Sequence, residues 1–250
     1  GSADLDVATV AATTRGRATS VNVSPQSFTG ANVIPAGQSA TFELEVAFAQ
    51  AVGNFGLDLT IGSNADNHPT FTAALDGTVG YGGTVSVEFN AAGTPGSGFD
   101  FANLQDLFRS LEQWGVGADT TVELHDTGGD YPATATTTLA SVPGTEAGVT
   151  LTITNAAGQT PRIVATAARD HALHIQSDGV TLDGLHLDAG GADNALRVSG
   201  DGVTVRGSVL EGAAESTLYL DGAANAQLIN NRIFSTATDA GAVEAEGAAG

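Results

Sequence analysis

The stretch "HALHIQSDGVTLDGLHLDAG", residues 171–190, is followed 23 residues after its "DGVTL" by "DGVTV" in "NALRVSGDGVTVRGSVLEG", residues 194–212. At a step of 23, Val180, Leu182 and Leu187 fall on Val203, Val205 and Leu210, and then on Ala226, Leu228 and Ile233, so every match is apolar. The runs "ALHI" (172–175), "ALRV" (195–198), "TLYL" (217–220) and "AVEA" (242–245) repeat at steps of 23, 22 and 25, slips that loops between units absorb. Each unit holds three short runs with apolar residues two apart, separated by Gly, Asp or Asn corners. Such runs are too short for helices, and antiparallel hairpins would not keep one register from unit to unit. Coiling each unit once stacks equivalent strands in parallel and gives each backbone N–H and C=O a partner in the next turn. The predicted fold here is a right-handed parallel β-helix. Leu173, Leu196, Leu218 and Val243 form one predicted inward column, and Ile175, Val198, Leu220 and Ala245 the next.

Upstream of the repeat, "FDFANLQDLFRSLEQWG" (99–115) reads as the one helix. Asp100 is its expected cap, Phe101, Leu104, Leu107, Phe108, Leu111 and Trp114 recur at helical spacing, and Gly115 stops it. A lone amphipathic helix ahead of a repeat suits the role of closing a solenoid's open end. Still earlier, "LDVATVA", "TSVNV", "ATFELEVAF", "FGLDLTI", "PTFTAAL" and "TVSVEF" are short alternating runs. In the clearest, Phe42, Leu44, Val46 and Phe48 share one face. Pro25, "IPAGQS" (34–39) and "GSNADNHP" (62–69) supply the breaks. The expected organisation is all-β: an antiparallel β-sandwich over 3–90, a linker and capping helix over 91–117, and a parallel β-helix over 118–250. "GAVEAEGAAG" at 241–250 reads as a further coil without a polar cap, so the last coil is expected to fray or to pair with another copy, as in a piece of a longer protein.

The 250 residues are 42% hydrophobic, enough for a substantial core, and carry 28 acidic groups against 8 basic ones, all Arg, for a net charge of −20. That balance argues against nucleic acid and anionic membranes as partners. It suits solubility at high salt, as expected of a halophilic protein, although a codon bias replacing Lys by Arg gives the same composition. No Cys is present, so there is neither a disulfide framework nor a thiolate nucleophile. No apolar run reaches the length of a membrane span.

Two resemblances extend this reading. "VIPAGQSATFELEV" (33–46) resembles the turn and strand of bacterial immunoglobulin-like modules. Residues 89–164, with "FANLQDLFRSLEQWGV", the "GGDY" turn at 128–131 and "PGTEAGVTLTI", followed by "HALHIQSDGVTLDGLHL", resemble the start of right-handed parallel β-helix proteins secreted to bacterial surfaces. The resemblance implies the fold. It leaves function open among adhesins, polysaccharide lyases, hydrolases and phage spikes.

Ligand chemistry is sought on the outward columns: His174, Arg197, Tyr219 and Glu244; Thr181, Thr204 and Gln227; and His186, Val209 and Arg232. The first is the candidate ligand-binding column, with Tyr219 beside Arg197 able to stack on a sugar. Lyases of this fold use clustered carboxylates for Ca²⁺ with an Arg or Lys base, and the related hydrolases use two or three close Asp. No outward column is expected to stack two carboxylates, and Asp183 with Arg206 reads as an exposed ion pair. "DAGGADN" offers Asp188, Asp193 and Asn194 as a candidate Ca²⁺ corner, against the plainer reading of a solvated loop. The histidines form no zinc motif, and Asn230 with Asn231 suggests the start of an Asn stack. No cofactor other than Ca²⁺ is expected. The leading expectation is a non-enzymatic extracellular structural or adhesion module of a bacterial cell-surface or lattice-forming protein. Its copies would associate through solenoid ends or sheet edges, on or near a cell-surface polysaccharide. The alternative is a polysaccharide-binding or polysaccharide-degrading β-helix protein.

Overall fold

The computed structural model describes residues 4–16, 18–24, 33–39, 41, 43–48, 52–64, 70–90, 93–125, 130–133, 137–145, 148–165, 171–235 and 241–247. Pro25, Phe42 and the glycines of the "GGDY" turn lie outside them. The protein is all-β, with one α-helix among the described residues, and divides into two units, Gly1–Val79 and Gly80–Gly250.

The first unit holds β1 (Leu5–Gly16), β2 (Ala18–Ser24), β3 (Val33–Ile34), β4 (Glu43–Phe48), β5 (Gly53–Ser63) and β6 (Thr70–Val79). Among the described residues its pairings are antiparallel: a four-stranded sheet in the order β3-β1-β5-β6, and a separate β2-β4 pair. Alternation explains β4, where Leu44 and Val46 are half-buried between exposed Glu43, Glu45 and Ala47. Leu57 of β5 is buried.

The second unit begins with β7 (Tyr81–Glu88), α1 (Leu104–Trp114) and β8 (Val116–His125). The remaining strands are β9 (Tyr131–Ala133), β10 (Thr138–Leu139), β11 (Leu151–Asn155), β12 (Arg162–Ala165), β13 (His171–Ile175), β14 (Val180–Asp183), β15 (His186–Asp188), β16 (Asn194–Val198), β17 (Thr204–Arg206), β18 (Val209–Ala213), β19 (Leu218–Asp221), β20 (Gln227–Ile229), β21 (Arg232–Ser235) and β22 (Val243–Glu246). They form three parallel sheets, β20-β17-β14-β11-β8-β7, β21-β18-β15-β12-β9 and β22-β19-β16-β13-β10. Five successive circuits, from β8–β9–β10 to β20–β21–β22, each contribute one strand to every sheet, an arrangement compatible with a solenoid.

The register follows the repeat. Leu173, Leu196, Leu218 and Val243 are successive partners, as are Ile175, Val198, Leu220 and Ala245. Leu182, Val205 and Leu228 form a third column. These columns are buried in the middle circuits, save Leu220, which is half-buried, and each fully buried apolar side chain contributes roughly 1.5–3 kcal/mol against exposure. In the fifth circuit the strands are formed but uncovered: Leu228 is 39% and Val243 44% exposed.

Two local differences from the sequence reading have clear causes. "TVSVEF", expected in the sandwich, contains most of β7, which pairs in parallel with β8, Val85 on Val122 and Val87 on Leu124. Alternation identifies a strand and its buried face but not its partner. At the helix, Asn103 rather than Asp100 is the N-cap, its Oδ1 accepting the Asp106 N–H at 2.8 Å. Residues 99–102 first run alongside β7, with Phe101 bridged to Val87, so Asp100 accepts the Ser86 N–H (2.8 Å) and hydroxyl (2.9 Å) instead. Gly115 ends the helix at φ 67°, where a Cβ would lie 2.3 Å from the Pro143 carbonyl oxygen. Leu104, Leu107, Phe108 and Leu111 are buried in the same core as the strand columns, and α1 packs on β7 and β10.

Candidate functional site

The expected ligand column exists as a ladder. On the sheet containing β13, β16, β19 and β22, His174, Arg197, Tyr219 and Glu244 lie one above another. Three of its four side chains are bonded to other side chains of the protein. His174 is only 6% exposed, and its Nε2 is 2.9 Å from Ser199 Oγ. Burial, then the neighbouring His171 and Arg197, push its pKa down to about 4, so the imidazole is neutral at pH 7. Arg197 donates to Asp221 and lies over the Tyr219 ring, 5.5 Å from its centroid. Tyr219 donates to Glu246 Oε2 at 2.7 Å, a bond that lifts the phenol to about 12, while Glu244 stays exposed.

These bonds share one geometry. His174, Arg197 and Tyr219 each reach a residue in the adjacent outward column, one circuit further on: Ser199, Asp221 and Glu246. The neighbouring sheet repeats it, with Arg162 to Asp188 Oδ2 at 3.2 Å and His186 Nε2 to Glu211 Oε1 at 2.7 Å. Stacked strands are roughly 4.8 Å apart, and a diagonal neighbour is roughly 7–8 Å away, which suits a long donor meeting a carboxylate. Arg162 also holds Asp130 Oδ2 at 2.7 Å in the preceding circuit, a hydrogen bond that raises the guanidinium pKa further. Directly vertical pairing occurs too, with Arg206 on Asp183 at 2.7 Å as the sequence suggested.

The outward columns do stack carboxylates, contrary to the sequence reading. Asp188 lies in register with Glu211, and Asp221 with Glu246. Their separations, 23 and 25, are those of the neighbouring apolar partners Leu187/Leu210 and Leu220/Ala245, so the signal was present in the repeat. Both members of each pair receive a bond from the adjacent column, Asp188 and Glu211 from Arg162 and His186, and Asp221 and Glu246 from Arg197 and Tyr219, which offsets their repulsion.

Two residues of the candidate Ca²⁺ corner have protein partners. Asp188 accepts from Arg162 and from the Gly190 N–H (2.8 Å), and Asn194 is buried, its amide donating to Ser216 O (2.6 Å) and Oγ (3.1 Å). Among the described residues no group of three or more His, Asp or Glu is gathered closely enough to hold a metal ion. Asn230 takes a positive φ of 54°, while Asn231 bridges Val205 O and the Ser208 N–H of the preceding circuit at 2.7 and 2.9 Å.

The aspartates of the repeated "DGV" have a role that sequence reasoning missed. Asp178 Oδ1 accepts the Asp201 N–H at 2.7 Å, and Asp201 Oδ1 accepts the Ala224 N–H at 2.8 Å, each bond spanning 23 residues. No helix among the described residues is long and apolar enough to cross a membrane. No family model, curated protein or solved structure matches the chain.

Proposed function

We propose that this chain is a non-enzymatic, extracellular structural or adhesive module of a bacterial cell-surface or lattice-forming protein. In this reading the first unit is an immunoglobulin-like antiparallel sandwich and the second a right-handed parallel β-helix closed at its start by α1. The observation that supports it best is the diagonal bonding: the polar side chains that a ligand would meet are tied to the next circuit, which stiffens the stack. The resemblance of residues 89–164 to secreted bacterial β-helix proteins and the net charge of −20 agree with a salt-tolerant spacer.

A polysaccharide-binding reading is favoured by one observation, the stacked Asp188 and Glu211 flanked by Arg162 and His186. One experiment separates the two. The protein and its Arg162→Ala and Arg197→Ala variants are challenged with pectin, alginate and neutral glycans while binding, product formation and urea stability are measured. The structural reading expects no turnover and no binding lost on substitution, with each variant losing about 0.5–1 kcal/mol of stability. Product formation, or glycan binding abolished in a variant of unchanged stability, would overturn it.

A further inference from the structure

We infer that β6 is a self-complementary edge through which two copies of this chain pair, extending each four-stranded sheet into one of eight strands. This surface lies in the first unit and is independent of the reading given to the second.

Strand β6 closes the sheet order β3-β1-β5-β6, and no described strand pairs with its outer side. It runs for ten residues in unbroken register with β5, from Thr70 on Gly62 to Val79 on Gly53. A long, unbroken edge of this kind presents a row of backbone donors and acceptors, which natural edges blunt with Lys, Pro, bulges or inward charges. Strand β6 has none of these devices. Its sequence, "TFTAALDGTV", carries one charge, Asp76, and Arg15 on β1 binds that carboxylate at 3.0 Å. In a protein of net charge −20 most of the surface repels a second copy, whereas this strip carries a single carboxylate, which shares Arg15 with Asp58.

The side chains add a register. Phe71, Ala73 and Leu75 share one face of the pleat, and Phe71 and Leu75 are 57% and 55% exposed, the two most exposed large hydrophobic residues described. Further along that face Gly77 is covered by the Phe55 ring, which lies where a Cβ would come within 2.6 Å of it. The apolar contact surface therefore centres on Ala73. Antiparallel pairing about a two-fold axis through Ala73 sets Phe71 of one copy opposite Leu75 of the other, twice, with the small Ala73 facing itself. An isologous contact must be self-complementary in this way. On the opposite face Thr72 meets Ala74, and Thr70 meets Asp76, to which its hydroxyl can donate. A slip of one residue would set the apolar face of one sheet against the polar face of the other.

The chain contains no Cys, so single cysteines report the register directly. Directly opposed residues in an antiparallel pair have Cα atoms roughly 4.5–5.5 Å apart, within disulfide reach. Under mild oxidation of the full chain, Ala73→Cys is expected to give a covalent dimer. Phe71→Cys and Leu75→Cys are each expected to stay uncrosslinked alone but to link when mixed. Sedimentation should show a reversible dimer whose dissociation constant rises about tenfold or more on Leu75→Lys. That variant leaves the circular dichroism spectrum unchanged, since Leu75 is exposed in the single chain. A protein that stays monomeric at millimolar concentration overturns the inference. So does a dimer indifferent to Leu75→Lys, or cross-linking of Phe71→Cys with itself.

Discussion

Asn225 and Asn230 are the two non-glycine residues of positive φ among those described, at 56° and 54°. Each lies 23 residues beyond a glycine and 46 beyond another: Gly179, Gly202 and Asn225 in one series, Gly184, Gly207 and Asn230 in the second, with glycine φ values of 59–67°. The corner conformation is thus a property of the circuit, met by Gly twice and then by Asn, whose short polar side chain tolerates the left-handed region. At Gly207 an added Cβ would find its nearest neighbour at 3.9 Å, so a substitution there reports backbone strain without a clash. Gly207→Ala is expected to cost about 1–2 kcal/mol in urea denaturation, and Gly207→Asn clearly less. His174 supports a second test at this scale. Its folded pKa of about 4 lies below the unfolded value of 6.5, so between those limits the unfolded state binds the extra proton. Stability is therefore lost as pH falls from 6.5 towards 4, by up to about 3 kcal/mol, and is unaffected by this group above 6.5. The groups around it are His171, Arg197 and Asp221. Melting curves across that range should be flatter for His174→Gln than for the wild type.

Strands of three to five residues such as β15, β16 and β17 have no independent stability, and the stacked column is the unit that holds them. Leu182 and Leu228 occupy the same column two circuits apart, one fully buried and the other 39% exposed. Leu182→Ala is expected to cost about 2–5 kcal/mol and Leu228→Ala under about 1 kcal/mol, measured by thermal and urea unfolding. Equal losses would mean that the fifth circuit is covered in solution. The elements differ in how far the sequence disclosed them. The columns Leu173–Leu196–Leu218 and Ile175–Val198–Leu220 were legible because inward residues recur two apart within a strand and one circuit apart between strands. The helix was legible from its stripe, whereas its cap was not, because Asp100 is drawn to Ser86 by the strand packed beside it. The partner of β7 was likewise hidden, since its alternation fits an antiparallel sheet as well as a parallel one.

At the scale of the whole molecule, 28 acidic residues and 8 arginines share a surface that lacks lysine. Arg162, Arg197 and Arg206 are used between circuits, and Arg15 binds Asp58 and Asp76 across three strands of the first unit. Scarce positive charge is therefore placed where it neutralises carboxylates that strand stacking brings together. Strand β6 itself carries a single charge, Asp76, which shares Arg15 with Asp58. By itself the amino-acid order determined the all-β class, the repeat length, the inward columns and the vertical Asp183–Arg206 pair, because backbone stacking turns a linear period into spatial neighbours. Only the tertiary structure decided the diagonal partners Ser199, Asp221, Glu246, Asp188 and Glu211, the burial of His174 and the exposure of Phe71 and Leu75. Those depend on how far a side chain reaches between circuits of unequal length and on which strand is left at an edge, and neither distance is written in the period.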